Sequence, residues 1–331
     1  MDDAPRVMTD RLAEEAVSAL GEQPLHLLDT ATDASPPAGA AIVVAVDRAG
    51  TVPDLDPAKY DAMVTTRLSA PAPWVSVSPA RIEAQCAVVQ GVVNRAPISA
   101  ATLARTLRIA EQLPFEDALE VESLAYSTLL GGGEFARWLA GRSPGGNEAG
   151  PPCVDYARLG DTVTLTLASP ASGNAMTAGM RDAFYEALAN VLDDPNVPRL
   201  VLRAAGRCFS TGGHLSEFGT ARDLAQAHAV RSLRSCARLL HRLGSRAEVR
   251  LHGACIGSGI EIPATAARRI GTPDTFVQLP ELRMGLIPGA GGTASIARAV
   301  GRHRMMWLAL GGFRLGAQAA RDWGLLHTIE P

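Results

Sequence analysis

Two glycine-rich turns, each at the end of an apolar run, constrain this chain more than any other feature. Leu200-Val201-Leu202 reads as a buried strand and runs on into Phe209-Ser210-Thr211-Gly212-Gly213-His214-Leu215. Val249-Arg250-Leu251-His252 reads as a second strand and runs into Gly253-Ala254-Cys255-Ile256-Gly257-Ser258-Gly259-Ile260-Glu261, with a helix expected from Gly259 to Ala267. A strand that ends in a glycine turn and opens a helix aims unpaired backbone N–H groups at one spot. Two such turns supply two donors that can converge on a developing oxyanion. Taken singly, either turn is equally explained by glycines that only permit a tight bend.

Two glutamates sharpen the picture. Glu261 sits among Ile260, Ile262 and Ala264, an apolar setting that raises a carboxyl pKa. Glu281 follows Leu279-Pro280 in a loop, ahead of Leu286-Ile287-Pro288-Gly289-Ala290-Gly291-Gly292-Thr293. Paired carboxylates allow one to act as acid and the other as base. Together with two N–H turns, they are what is needed to stabilise a thioester enolate and move a proton or a water beside it. A single glutamate is otherwise most often a solvated surface group.

Other chemistries lack their signatures. There is no GxxxxGK[ST], no GxGxxG after a strand, no GxSxG around Ser258 and no HExxH among the seven histidines. His214 and His252 flank the glycine turns, where a lone histidine is usually structural. Cys86, Cys153, Cys208, Cys236 and Cys255 are scattered, odd in number and without a CxxC, so no disulfide framework and no metal site is expected. The formal charge of -3 argues against a general nucleic-acid binder. Lys59 is the only lysine, so phosphates would be met by arginine or by backbone N–H groups. The start, Met1-Asp2-Asp3-Ala4-Pro5, is acidic, and no apolar stretch approaches the roughly 20 residues of a membrane span. The expectation is a cytoplasmic protein with no membrane partner.

Along the chain, Ser143-Pro144-Gly145-Gly146-Asn147-Glu148-Ala149-Gly150-Pro151-Pro152 has linker composition. Before it, Ser35 to Gly39 marks a loop, Ile42 to Val46 reads as a buried strand, and Trp74 to Val77 as a short one. The pattern from Ala80 to Gly141 is helical, with Leu103, Leu107, Ala110 and Leu113 at spacings of three and four. A second helix carries Leu119, Leu124, Leu129 and Leu130 after a break at Pro114. After the linker, Val163, Leu165 and Leu167 alternate with threonines as in a strand, Met176 to Leu192 is helical with Thr177 as N-cap, and Ala221 to Leu243 reads as one helix. Repeated strand, turn and helix indicate an α/β fold.

These residues resemble the crotonase superfamily, the enoyl-CoA hydratase/isomerase family, over about Tyr156 to Pro331. Asn174-Ala175-Met176 resembles the family's Asn-Ala-Leu element beside coenzyme A. Phe209 to Leu215 resembles its Phe-x-Ala-Gly-Ala-Asp-Leu turn, and His252 to Glu261 its Asn-Gly-x-x-x-Gly-Gly-Gly-x-Glu block. Gly285 to Thr293 and Ala317 to Leu326 resemble the motifs that follow. The resemblance implies a ClpP-like ββα spiral core with an additional helical segment. It also implies oxyanion donors on Gly213 and Ser258, catalytic carboxyls on Glu261 and Glu281, and an acyl-CoA thioester as substrate, with no separate cofactor. Thr211, Gly212, His214, Leu215, Gly257, Pro280 and Gly289 would line the substrate. His214, Ser258 and His252 depart from the family's usual Asp, Gly and Asn.

The order of the chain departs further. Family members end in helices closing near Ala-Phe-Leu-x-Lys-Arg, whereas this chain stops at Ile329-Glu330-Pro331. Pro97 through Phe115-Glu116-Asp117-Ala118-Leu119-Glu120-Val121-Glu122 to Phe135-Ala136-Arg137-Trp138-Leu139-Ala140-Gly141-Arg142 resembles that missing tail, which would make the protein a circularly permuted crotonase. The parts would then be 1–76 of unassigned role, a helical segment 77–142, a linker 143–152 and a core 153–331. Trp138 and Arg142 would approach the coenzyme A, and the family's assembly implies a homotrimer or a dimer of trimers. An unrelated helical appendage, or the remnant of a tandem copy, is the alternative for the N-terminal half. For function, an enoyl-CoA hydratase stands beside an isomerase, hydrolase or lyase on the same fold, and beside a non-catalytic acyl-CoA-binding subunit.

Overall fold

In a computed structural model of the protein, residues 15–33, 36, 41–142 and 153–331 are described. The linker expected over 143–152, and most of the loop expected over 35–39, lie outside them. The first strands are β1 (Leu25–Asp29), β2 (Ile42–Asp47), β3 (Ala62–Thr65) and β4 (Val75–Ser76), which pair in that order, all parallel. Every residue of β2 is buried, which is why it reads as a continuous apolar run, as a parallel strand covered on both faces does. Alternate side chains point opposite ways. Ile42, Val44 and Val46 join the main core, whereas Val43 and Ala45 pack with Leu28, Tyr60, Met63 and Trp74 in a second cluster.

Four helices follow: α1 (Ile82–Arg95), α2 (Pro97–Ala110), α3 (Phe115–Leu130) and α4 (Gly133–Ala140). Pro97 occupies the first position of α2, where a missing N–H is harmless, and Pro114 stands at the start of α3. Leu103, Leu107, Leu119 and Leu129 are buried as their spacing suggests, but Leu124 is 54% exposed. It follows the buried Ser123 by one residue, which turns it about 100° round α3 toward the outer side.

The second half opens with a hairpin, β5 (Val154–Leu159) and β6 (Thr162–Leu167), in which Val163, Leu165 and Leu167 are buried. Then come α5 (Ala178–Leu192), β7 (Arg199–Ala204), α6 (Leu224–Leu233), α7 (Cys236–Arg242), β8 (Ala247–Leu251), β9 (Ala254–Ile256), α8 (Ser258–Glu261), β10 (Arg268–Gly271) and β11 (Phe276–Gln278). The last elements are α9 (Gly292–Val300), α10 (Arg302–Gly311), β12 (Leu315–Gly316), α11 (Ala317–Asp322) and β13 (Thr328–Ile329). One sheet has the order β13-β10-β8-β7-β6-β5, parallel except for β5, and a small one the order β12-β11-β9.

Two helices differ from expectation. The single helix expected over 221–243 is two, because Arg234 leaves helical geometry and Ser235 starts α7 by accepting the Arg238 N–H at 3.2 Å. The helix expected over 259–267 is only one turn, α8, followed by a 3-10 turn at Pro263–Thr265, since Pro263 cannot donate to a helical bond. Thr177 does cap α5, accepting the Met180 N–H at 3.0 Å.

The main apolar cluster draws on both halves, from Leu25 in β1 to Leu326 near the end. Helix α10 is buried along its whole length against the N-terminal strands. Its arginines are tolerated there because backbone carbonyls receive them: Arg302 donates to Tyr60 O at 2.7 Å and Pro57 O at 2.9 Å, and Arg304 to Trp74 O at 3.2 Å.

Candidate active site

The two glycine turns meet at β9. Ser210 bridges Cys255 in parallel register, its N–H donating to Ala254 O at 3.1 Å while Ile256 N–H donates to Ser210 O at 3.0 Å. Residues 175–176 strap the first turn from the other side: Met176 N–H donates to Gly212 O at 2.7 Å and His214 N–H to Met176 O at 3.0 Å. Between those two bonds, Gly213 N–H is left unengaged among the described residues, and so is Ser258 N–H at the head of α8. Gly257 connects them with φ +51° and ψ -124°, a backbone state that glycine alone enters readily. A Cβ there would stand 2.8 Å from Glu281 Oε1.

Both glutamates are buried against this junction. Glu261 is held by one oxygen: Oε2 accepts Ala290 N–H at 2.7 Å and Gly292 N–H at 3.1 Å, and Ser295 Oγ donates to its carbonyl at 2.7 Å. Glu281, in the 3-10 turn after Pro280, keeps Oε2 buried with no partner among the described residues. Burial pushes the Glu281 carboxyl up to about 8, with the charge of Glu122 adding to it. Glu261 is also held well above the usual range, by burial first and then by the charges of Glu281 and Glu122. Burial and mutual repulsion thus hold both carboxyls toward their neutral forms.

They open onto a cavity of about 580 Å³. Its wall takes the first turn from Thr211 to Leu215, with Ala175 and Met176, then Gly257, Ser258, Glu261, Pro280, Glu281 and Gly289. Three expected site residues lie elsewhere. Asn174 is fully buried, and its side chain joins backbone groups: Oδ1 accepts Ser169 N–H at 2.9 Å, and Nδ2 donates to Ala205 O at 2.8 Å and Cys208 O at 3.1 Å. Trp138 packs edge-on to Phe218, centroids 6.0 Å apart, and Arg142 lies over Trp138 and donates to Leu215 O. Both cover the far side of the first turn rather than the cavity wall. His252 is outside as well, its Nε2 3.0 Å from Gly206 O.

The sequence reading missed what the N-terminal helices contribute. From α3, Glu122 accepts Gly291 N–H at 2.6 Å, Thr293 N–H at 2.7 Å and Thr293 Oγ at 2.6 Å, and so fixes the loop that holds Glu261. Burial raises its carboxyl to about 7. One turn further along α3, Tyr126 lies flat on Gly289: a Cβ on that glycine would stand 2.3 Å from the ring, so only glycine admits it. A carboxylate inside the apolar run around Leu119 was the one available signal.

A buried carboxyl pair beside two free backbone donors is acid–base equipment for a carbonyl substrate. The family profile described as enoyl-CoA hydratase/isomerase matches residues 162–330. Enoyl-CoA isomerase/hydratase fer4 of Mycosarcoma maydis is 29% identical over 187 residues, covering 53% of this chain and 67% of that protein. The fatty acid oxidation complex subunit alpha of Shewanella sp. (strain W3-18-1) is 28% identical over 162 residues, 48% of this chain and 23% of that one. The chain spans about two thirds or less of the length of the curated relatives it matches. The crystal structure of enoyl-CoA hydratase from Thermoplasma volcanium GSS1 is 27% identical, with a TM-score of 0.48 over 54% of this chain and 71% of that one. The chain belongs to the enoyl-CoA hydratase/isomerase family, within the crotonase superfamily.

Proposed function

We propose that the protein is an acyl-CoA enzyme that adds water across the Cα–Cβ double bond of an enoyl-CoA. The observation that carries this reading is the juxtaposition of Glu261 and Glu281, both buried, with the unengaged N–H groups of Gly213 and Ser258 around one cavity. The thioester carbonyl would sit between the two N–H donors. Glu261, positioned by Ala290 and Gly292, and Glu281 would hold the water. As the water oxygen bonds to Cβ, the π electrons move toward the thioester oxygen, where donors in a dry site count most. Glu281, protonated below about 8, then delivers its proton to Cα, and the proton lost by the water returns to the carboxyl pair. No net redox change occurs.

The same proposal covers the chain order. Residues 77–142 would stand in for the family's terminal helices, because α3 brings Glu122 and Tyr126 to the site and α4 covers the first turn. The trimer or dimer of trimers implied by the family resemblance belongs to it too, and sedimentation measures it.

The test is a panel of enoyl-CoA thioesters of increasing chain length, following loss of the conjugated thioester absorbance. Hydration by the wild type and its loss in Glu261→Gln are expected. Shifted double bonds without water addition would replace the hydratase by an isomerase, and binding without turnover by a non-catalytic acyl-CoA binder.

A further inference from the structure

The cavity does not end at the carboxyl pair. Beside Gly289 and Ala290 lies a second chamber of about 110 Å³, and Met176, Arg181, Arg231, Gly289 and Ala290 line both spaces. Ala290 N–H holds Glu261, so the chamber begins immediately beyond the reacting carbons of a substrate seated as proposed above. The acyl chain of a substrate seated as proposed above would enter it.

Four arginines line this chamber, and they are not equivalent. Arg234 pairs with Glu186 at 2.6 Å, and Arg238 pairs with Glu120 and, at 3.8 Å, with Glu116. Arg181 pairs, among the described residues, with its chain neighbour Asp182 at 2.9 Å. Arg231 has no carboxylate within 4 Å among the described residues. Its guanidinium lies 4.6 Å over the Tyr126 ring, donates to Ser127 Oγ at 2.7 Å and to Ala227 O at 3.3 Å, and keeps Nε buried with no partner. Glu122 faces the same chamber and its charge favours the charged guanidinium, but it does not pair with it directly; its oxygens accept from Gly291 and Thr293. A mostly buried guanidinium with no carboxylate in direct contact gains from a ligand that supplies one. Arginine's planar fork suits a carboxylate.

We propose that the acyl site is built for an acyl-CoA whose acyl chain ends in a carboxylate, received by Arg231 with Arg181 beside it. This rests on the placement of the thioester at Gly213 and Ser258, and it names the substrate class of that site.

The test is binding rather than turnover. Saturated diacid thioesters, glutaryl-CoA and adipoyl-CoA, and their terminal methyl esters are titrated calorimetrically into the full-length protein, with free coenzyme A as reference. One carboxylate should bind about 10- to 100-fold more tightly than its ester, the range for a hydrogen-bonded charge. Arg231→Met should erase that preference and Arg231→Lys should restore part of it. Because Arg231 packs on Tyr126, a second variant keeps the test independent of folding: Arg181→Gln, on a partly exposed side chain, should weaken the carboxylate ligands severalfold and not the esters. Esters that bind as well as the acids overturn the proposal. So does an Arg231→Met protein that loses free coenzyme A equally, since the arginines would then be meeting its phosphates. A carboxylate preference in a protein without hydratase turnover retains this inference and removes the hydratase reading; turnover with preference for neutral chains does the reverse.

Discussion

Glu281→Gln should separate stability from activity, and the separation should depend on pH. The wild-type carboxyl titrates near 8 in the folded protein against 4.5 as its ordinary value, burial being the main cause. Between those limits the folded protein holds a proton that the unfolded chain has released, so stability falls as pH rises. The stabilisation is fully present below about 4.5 and lost by the time pH passes 8. At about 1.4 kcal/mol per pH unit, the stretch from pH 6 to 9 removes roughly 3 kcal/mol from the wild type. Glutamine has the same shape and no charge, so the variant keeps that amount, and Glu261, whose carboxyl is no longer raised by a charged neighbour, adds to the gain. Urea unfolding of both proteins at pH 6 and pH 9 reads the difference. The variant should gain on the wild type by about 3 kcal/mol or more between the two pH values, while its kcat for hydration falls about 10²–10⁴-fold. Parallel pH profiles would mean that Glu281 is ionised in the folded protein and is no proton donor.

Other perturbations have equally definite outcomes. Ser258→Ala should leave kcat/KM within a few-fold, because the proposed donor is the backbone N–H, whereas Ser258→Pro removes that donor and should cost about 10²–10³-fold; steady-state kinetics on folded protein checks both. Glu122→Ala strands the N–H groups of Gly291 and Thr293, and should lower stability by about 3 kcal/mol or more in urea unfolding, at about 1–3 kcal/mol per orphaned group. A fragment of residues 153–331 should aggregate, because it exposes the surface that α2, α3 and the N-terminal strands share with the main core; a soluble, fully active fragment would refute the role given to the helical segment.

What the sequence revealed of the site was local. The glycine turns, Glu261 and Glu281 fall within 73 residues of one another, and each strand, turn and carboxyl is marked by its immediate neighbours. Glu122 was hard to read because its partners lie 169 and 171 residues away, and the apolar run around it was the only local sign of burial. Arg231 is likewise defined by Tyr126 and Ser127, from a different helix. Of the N-terminal strands, β2 was legible from its unbroken apolar run, whereas β1 and β3 are short, and the link between β2 and β3 holds only a 3-10 turn at Pro57–Lys59. Without an intervening helix, the usual parallel-sheet rhythm is missing. The break between α6 and α7 did have a signal, the capping serine at 235, which the apolar spacing across it concealed. Asn174 marked the right turn, but its polar atoms staple the chain beneath the cavity.

The central claim is proton delivery at the α-carbon of an acyl-CoA by the Glu261–Glu281 pair, beside the Gly213 and Ser258 donors. Turnover of an enoyl-CoA in D₂O, with mass spectrometry of the product, tests it most directly. The account predicts one deuterium at Cα for each product molecule in the wild type, and loss of both product and label in Glu281→Gln. Product formed without label at Cα, or labelled at the wild-type rate by Glu281→Gln, would contradict it.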